Sequence, residues 1–145
     1  MNLCDVNVWL ALVLSAHVHQ PEARAWFERV TGPGTILFCR ATQQAFLRLL
    51  TNAAVLGAYG NPPLTNDEAW AAFEAIMADD RVGFMAVEPP GLEPRWKAFA
   101  VRDTASPKLW MDAFLAAFAL EAGLRLVTTD RAFHQFPGLD VLSLI

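Results

Sequence analysis

Short runs of strand-forming residues alternate with stretches of helical periodicity along this chain, and that alternation limits the fold more than any other feature. The β-rich runs are Asn2–Val6, Thr35–Cys39, Val82–Val87, Arg125–Thr128 and Leu139–Leu142. Helical spacing fills the intervals, which favours a parallel sheet covered by helices. The first helix runs through Val8–Leu14. Pro21 suits the first turn of a second, which runs through Ala23, Trp26, Phe27 and Val30 at helical spacing and stops at Thr31-Gly32-Pro33-Gly34. Ala41–Leu56 reads as one helix, with Phe46, Leu49, Leu50 and Ala53 on a common face. Thr65-Asn66-Asp67-Glu68 is a capping box opening a helix with Trp70, Phe73 and Met77 inward. A helix bearing Trp96, Phe99 and Ala100 follows Pro89-Pro90. Ser106 and Pro107 then read as the N-cap and first residue of a helix ending near Gly123. A brief turn spans Arg131–Phe133.

The 145 residues suit a single α/β domain spanning 1–145 with a real core. Hydrophobic residues make up 54% and charged residues 18%, a balance that implies a surplus of apolar surface. That surface is expected around Trp9, Leu12, Trp26, Phe27 and the Phe46–Leu50 helix, covered by a partner segment or a second copy. The net charge of −4 argues against a uniformly basic nucleic-acid surface, so any such role needs basic residues segregated on one face. Cys4 and Cys39 sit in apolar runs without Cys-x-x-Cys spacing and read as buried, reduced thiols of a cytoplasmic protein. The start is uncharged and then acidic, unlike an export signal, and no apolar run is long enough to cross a membrane.

Three acids stand in unusually apolar company. Asp5 closes the first strand, Asp130 follows the fourth, and Asp112 lies about two turns into the helix between Ser106 and Gly123. A carboxylate in such surroundings is costly unless it is paired or binds a cation. Strand ends in an open α/β sheet gather at one edge, so the three can converge despite their separation in sequence. Together they would suit Mg²⁺ or Mn²⁺ and phosphate chemistry. Asn7 and the hydroxyls of Thr128 and Thr129 could then orient water or a phosphate oxygen. Each acid has a plainer reading: Asp5 or Asp130 as a helix cap, Asp112 as a solvated helix position. Arg24, Arg40, Arg48, Lys108 and Arg131 are candidate contacts to RNA or phosphate, with solvated surface the alternative. His17 and His19 lack an evident third zinc ligand. A phosphatase of the haloacid dehalogenase kind needs a second aspartate where Asn7 stands.

At these residues the chain resembles PIN-domain ribonucleases, in particular the VapC toxins of bacterial toxin–antitoxin pairs. Asp5-Val6-Asn7-Val8 is similar to the family's opening Asp-x-Asn, and Thr42 to Arg48 to its Thr-acid-x-x-Phe-x-Arg helix. Asp112-Ala113-Phe114-Leu115-Ala116-Ala117 and Val127-Thr128-Thr129-Asp130 resemble its two later acidic motifs. The resemblance covers nearly the whole chain. It implies a PIN-like three-layer fold with a central five-stranded parallel sheet flanked by helices. It also implies Mg²⁺-dependent cleavage of RNA, homodimerisation and neutralisation by a VapB-like antitoxin. The resemblance carries the role of metal-site carboxylate to Asp5, Asp112 and Asp130. Beside them, on their own chemistry, Asn7 and Thr129 are the candidate supporting groups, and Arg48 and Arg131 the candidate substrate contacts, with Arg48 open equally to an acidic neighbour, a partner or plain solvent. One departure is evident: the family's second acid aligns with Gln43, whose amide would bind a cation more weakly. The alternative expectation is a catalytically weakened PIN domain acting mainly by binding RNA or antitoxin.

Overall fold

The structure, a computed structural model, describes all residues from Met1 to Ile145. Five strands form one sheet: β1 (Asn2–Cys4), β2 (Ile36–Cys39), β3 (Val82–Met85), β4 (Arg125–Thr128) and β5 (Val141–Ser143). Their order is β3-β2-β1-β4-β5 and every pairing is parallel. The chain lays β2 and β3 on one side of β1, then returns to lay β4 and β5 on the other. Strand order therefore reverses between β1 and β4, where open α/β sheets form their crevices.

Seven helices cover the sheet: α1 (Val6–Val13), α2 (Gln20–Arg29), α3 (Arg40–Leu50), α4 (Ala53–Gly57), α5 (Asn66–Met77), α6 (Leu92–Ala100) and α7 (Leu109–Glu121). A 3₁₀ turn spans Arg131–Gln135. Successive strand side chains point to opposite faces, and the core divides accordingly. Cys4, Ile36, Phe38 and Val127 face a layer built on Trp9, Trp26, Phe46 and Phe73. Leu3, Leu37, Cys39 and Leu126 face another built on Phe99, Leu115, Phe118 and Phe133. Burial on both faces is why these strands read as continuous apolar runs. Both cysteines are buried and free. No helix is long and apolar enough to cross a membrane.

Four local expectations are corrected. The helix read as Ala41–Leu56 is two: the Thr51 hydroxyl donates to the Leu47 and Arg48 carbonyls at the end of α3, and the Asn52 side chain accepts from Val55 N–H at 3.1 Å to start α4. Helix α7 begins at Leu109, because Ser106-Pro107 forms a turn in which the Ser106 carbonyl accepts from Leu109 N–H at 3.1 Å. Asp112 thus falls in the first turn of α7. Trp70 points outward and donates to Glu74 at 2.7 Å, leaving Ala69 and Phe73 as the buried face of α5. Trp9, Trp26 and Phe46 are interior, and Leu12, Phe27, Leu47 and Leu49 are half-buried, so the aromatic residues expected to form an apolar surface there contribute little to it. The exposed large apolar residues include Trp70, Trp110 and Met111 instead. The capping box at Thr65 forms as expected, with Glu68 N–H donating to Thr65 at 3.1 Å and Thr65 N–H to Glu68 at 3.0 Å.

Candidate active site

Asp5 extends β1 by one step: its N–H donates to the Val127 carbonyl at 2.9 Å. It stands at the N-cap position of α1, yet its side chain caps nothing. The carboxylate turns instead to the neighbouring strand end and accepts from the Thr128 hydroxyl at 2.9 Å. That hydroxyl also accepts from Asp130 N–H at 2.9 Å, so one buried oxygen joins the ends of β1 and β4. Asp130 is both a cap and a member of the acidic group. One carboxylate oxygen caps the 3₁₀ turn by accepting from Ala132 N–H at 2.8 Å, and the other accepts from Lys108 Nζ at 2.7 Å. Lys108 Nζ also lies 3.8 Å from Asp112. The late start of α7 places Lys108 and Asp112 one turn apart at its beginning, both toward this edge.

A cavity of about 290 Å³ brings Asp5, Asp112 and Asp130 together with Asn7, Lys108 and Arg48. Helix α3 contributes Ala41, Thr42, Ala45, Arg48 and Leu49 to its wall. Gln43 is on another face of that helix. It is buried, its amide oxygen accepts from the Arg40 guanidinium, and it does not line the cavity. Ala45 holds the place on α3 between Thr42 and Arg48. Thr129 and Arg131 also lie outside the lining, as do Arg24, which donates to the Leu12 carbonyl, and Arg40, which sits over the Phe84 ring. The His17 ring accepts from His19 N–H at 3.1 Å, a local loop contact.

The hydroxyl that serves the site is that of Thr128, where the motif alone points to Thr129. What distinguishes them is strand register, which the local sequence does not carry. Leu3 pairs with Leu126 and Cys4 with Val127, so the next step sets Asp5 opposite Thr128. Thr129 has the wrong parity for that contact.

The electrostatics follow from burial and crowding of like charge. Asp5 is pushed up from an ordinary 3.8 to about 6, chiefly by burial, with the Thr128 hydrogen bond opposing and the charges of Asp112 and Asp130 adding. Burial also raises Asp112, against the pull of Lys108. Burial would raise Asp130 too, but the hydrogen bonds from Lys108 and Ala132 outweigh it and hold the carboxyl low. The bond to Asp130 in turn raises Lys108. As placed, no three acidic side chains converge closely enough to chelate one ion; the Lys108 ammonium lies against Asp112 and Asp130 instead. The donors are hard oxygens, and Asp5 is a buried carboxylate that no lysine or arginine side chain pairs with, a set that suits Mg²⁺ or Mn²⁺.

Residues 3–139 match the family model of the PIN domain. The chain belongs to the PIN-domain family. It is 61% identical over 141 residues to Ribonuclease VapC41 of Mycobacterium tuberculosis, covering 97% of each chain. Among solved PIN-domain structures it resembles VapBC2 of Rickettsia felis, crystallised with a DNA fragment from their promoter, with a TM-score of 0.67 at 11% identity over 98% of this chain and 97% of that one. It also resembles VapC20 of M. tuberculosis, a sarcin–ricin loop cleaving toxin, with a TM-score of 0.66 at 17% identity over 97% of this chain and 98% of the other. At such identities the structures speak to the fold, and they agree on a PIN sheet flanked by helices.

Proposed function

We propose that this PIN domain is a divalent-metal-dependent endoribonuclease, the toxin of a VapBC pair. The carrying observation is the junction of β1 and β4. A buried carboxylate, two further acids and a lysine meet at a strand-order reversal, in a chain 61% identical to a named ribonuclease. Asp5, Asp112 and Asp130 would hold Mg²⁺ or Mn²⁺, which supplies charge neutralisation at the phosphate and an acidified water. Thr128 keeps the Asp5 carboxylate aimed into the cavity and ties it to Asp130. The Asn7 amide lies in reach of the same space and can orient a phosphate oxygen or water. Lys108 and Arg48 supply positive charge to an RNA backbone that a chain of net charge −4 would otherwise repel. A VapB-like antitoxin is proposed as a partner, supported by structural neighbours described as VapBC; a second copy of the chain is proposed beside it. We propose that it acts in the cytoplasm, where it would meet RNA and such a partner.

Purified, antitoxin-free protein should cut total cellular RNA into discrete products with Mg²⁺ or Mn²⁺ and not in EDTA. Asp112→Asn should remove the products. Cleavage that persists in that variant, or wild-type protein that is folded yet inert across a broad RNA panel, rejects the proposal.

The placement of Gln43 bears on the weaker-enzyme reading. Because that amide is bonded to Arg40 and does not line the cavity, Gln43→Glu should leave the apparent Mg²⁺ requirement unchanged within about twofold, well under the roughly tenfold that marks even an outer-sphere ligand. A Mg²⁺ titration of cleavage reads this directly. A clear gain in metal affinity would return position 43 to the site.

A further inference from the structure

We infer that Trp96 and Trp110 form a stacking platform for an unpaired base of single-stranded RNA beside the carboxylate cavity; this inference rests on the ribonuclease reading. Trp110 is 54% exposed and the adjacent Met111 is 42% exposed, a large outlay of apolar area on a short helical turn. The two indoles stand at 79° with centroids 6.2 Å apart. They are not loosely placed. Trp96 Nε1 donates to the Trp110 carbonyl at 2.9 Å, and Phe114 braces Trp96 edge-on at 5.4 Å. The pair therefore presents flat aromatic surface that is ordered before any ligand arrives, which lowers the entropy cost of binding.

Position and charge select the occupant. Both indoles line a hollow of about 410 Å³ that shares Ala41, Arg48, Pro107 and Met111 with the carboxylate cavity, so the two are one continuous surface. Both also line a neighbouring hollow of about 490 Å³ that includes Lys97 and one acid, Glu93. Neither Arg48 nor Lys97 is engaged in an ion pair. A cation on each side of an aromatic face matches the alternation of phosphate and base along a single strand. A docked helix would call for a longer aliphatic groove than this notch offers. With the scissile phosphate at Asp5, Asp112 and Asp130, a flanking phosphate falls near Arg48 and its base reaches Trp110. Substrate choice at that flanking position would then depend on a base that can leave its own stack.

The test uses the full-length chain in an Asp5→Asn background, which spares the RNA, with Mg²⁺ present. Binding of a fluorescein-labelled random-sequence single-stranded oligoribonucleotide pool is followed by anisotropy, and molar mass by light scattering. Trp110→Ala should weaken binding roughly tenfold, within the range found for losing one stacked base, and Trp110→Phe should bind nearly as well as the parent, with molar mass unchanged in both. Equal binding by Trp110→Ala overturns the platform, as does a parent that does not bind. A change of molar mass in Trp110→Ala assigns the face to a second copy and also overturns it. Cleavage of cellular RNA by the wild-type protein judges the ribonuclease reading separately.

Discussion

Asp5→Asn should abolish RNA cleavage and, in the same protein, raise the thermal midpoint measured in EDTA at pH 7. The two effects have one cause. The Asp5 carboxyl is buried and faces the charges of Asp112 and Asp130, which lifts it from 3.8 to about 6. Keeping it ionised at neutral pH therefore costs about 3 kcal/mol, at roughly 1.36 kcal/mol for each pH unit of displacement. The sign is opposite to that of a salt-bridged acid. The cost is fully present above pH 6 and is relieved as pH falls from about 6 toward the unfolded value of 3.8. Asparagine removes the charge while its amide oxygen still accepts from the Thr128 hydroxyl. The midpoint should rise by roughly 5–10 °C for a domain of this size. The gap between variant and wild type should narrow steadily on titration from about pH 7 to about pH 4. A variant no more stable than wild type at pH 7, or a gap independent of pH, would show that Asp5 is not strained by its surroundings.

Phe38→Ala should be the most damaging single core change. Phe38 occupies the middle of β2, has no exposed surface, and stacks on Trp9 with centroids 3.9 Å apart and rings within 6° of parallel. Phe46 and Phe73 meet it at 5.9 and 5.1 Å, so one ring joins α1, α3 and α5 to the sheet. Truncation of a buried phenylalanine costs about 3–5 kcal/mol, and three aromatic partners place this site toward the upper end. One partial offset is expected: Trp9 Nε1 is buried without a hydrogen-bond partner, and water entering the vacated space could reach it. The midpoint should fall by on the order of 10 °C or more. Urea unfolding followed by Trp fluorescence checks the magnitude; a loss below about 1.5 kcal/mol, the scale of an Ile→Val change, would mean that the neighbours collapse into the gap.

Much of this architecture is legible in the amino-acid order. Apolar runs of strand length, each leading into helical spacing, already specify a parallel sheet with both faces covered, because local patterning and burial act through the same residues. Asp5, Asp112 and Asp130 stand out for a related reason: a charge inside an apolar run conflicts with its own surroundings, and the conflict is visible in one dimension. Where patterning misleads, the deciding interaction is long-range or set by side-chain direction. Trp70 and Trp110 look like core residues by composition, yet helix phase turns both outward. Ser106-Pro107 has the chemistry of a helix start, but the chain makes a turn there and delays α7 to Leu109, which moves Asp112 into the first turn beside Lys108.

The sequence by itself determined the α/β class, the strand positions to within a few residues, and the three acids worth watching, since each depends on a residue and its near neighbours. Only the tertiary structure decided that Thr128 rather than Thr129 joins Asp5 to Asp130, that Lys108 is the cation set against the acids, and that Gln43 faces away from the cavity. Those outcomes depend on strand register and helix rotation. Both are set by packing between segments far apart in the chain, and a one-residue change of phase reverses the face a side chain serves.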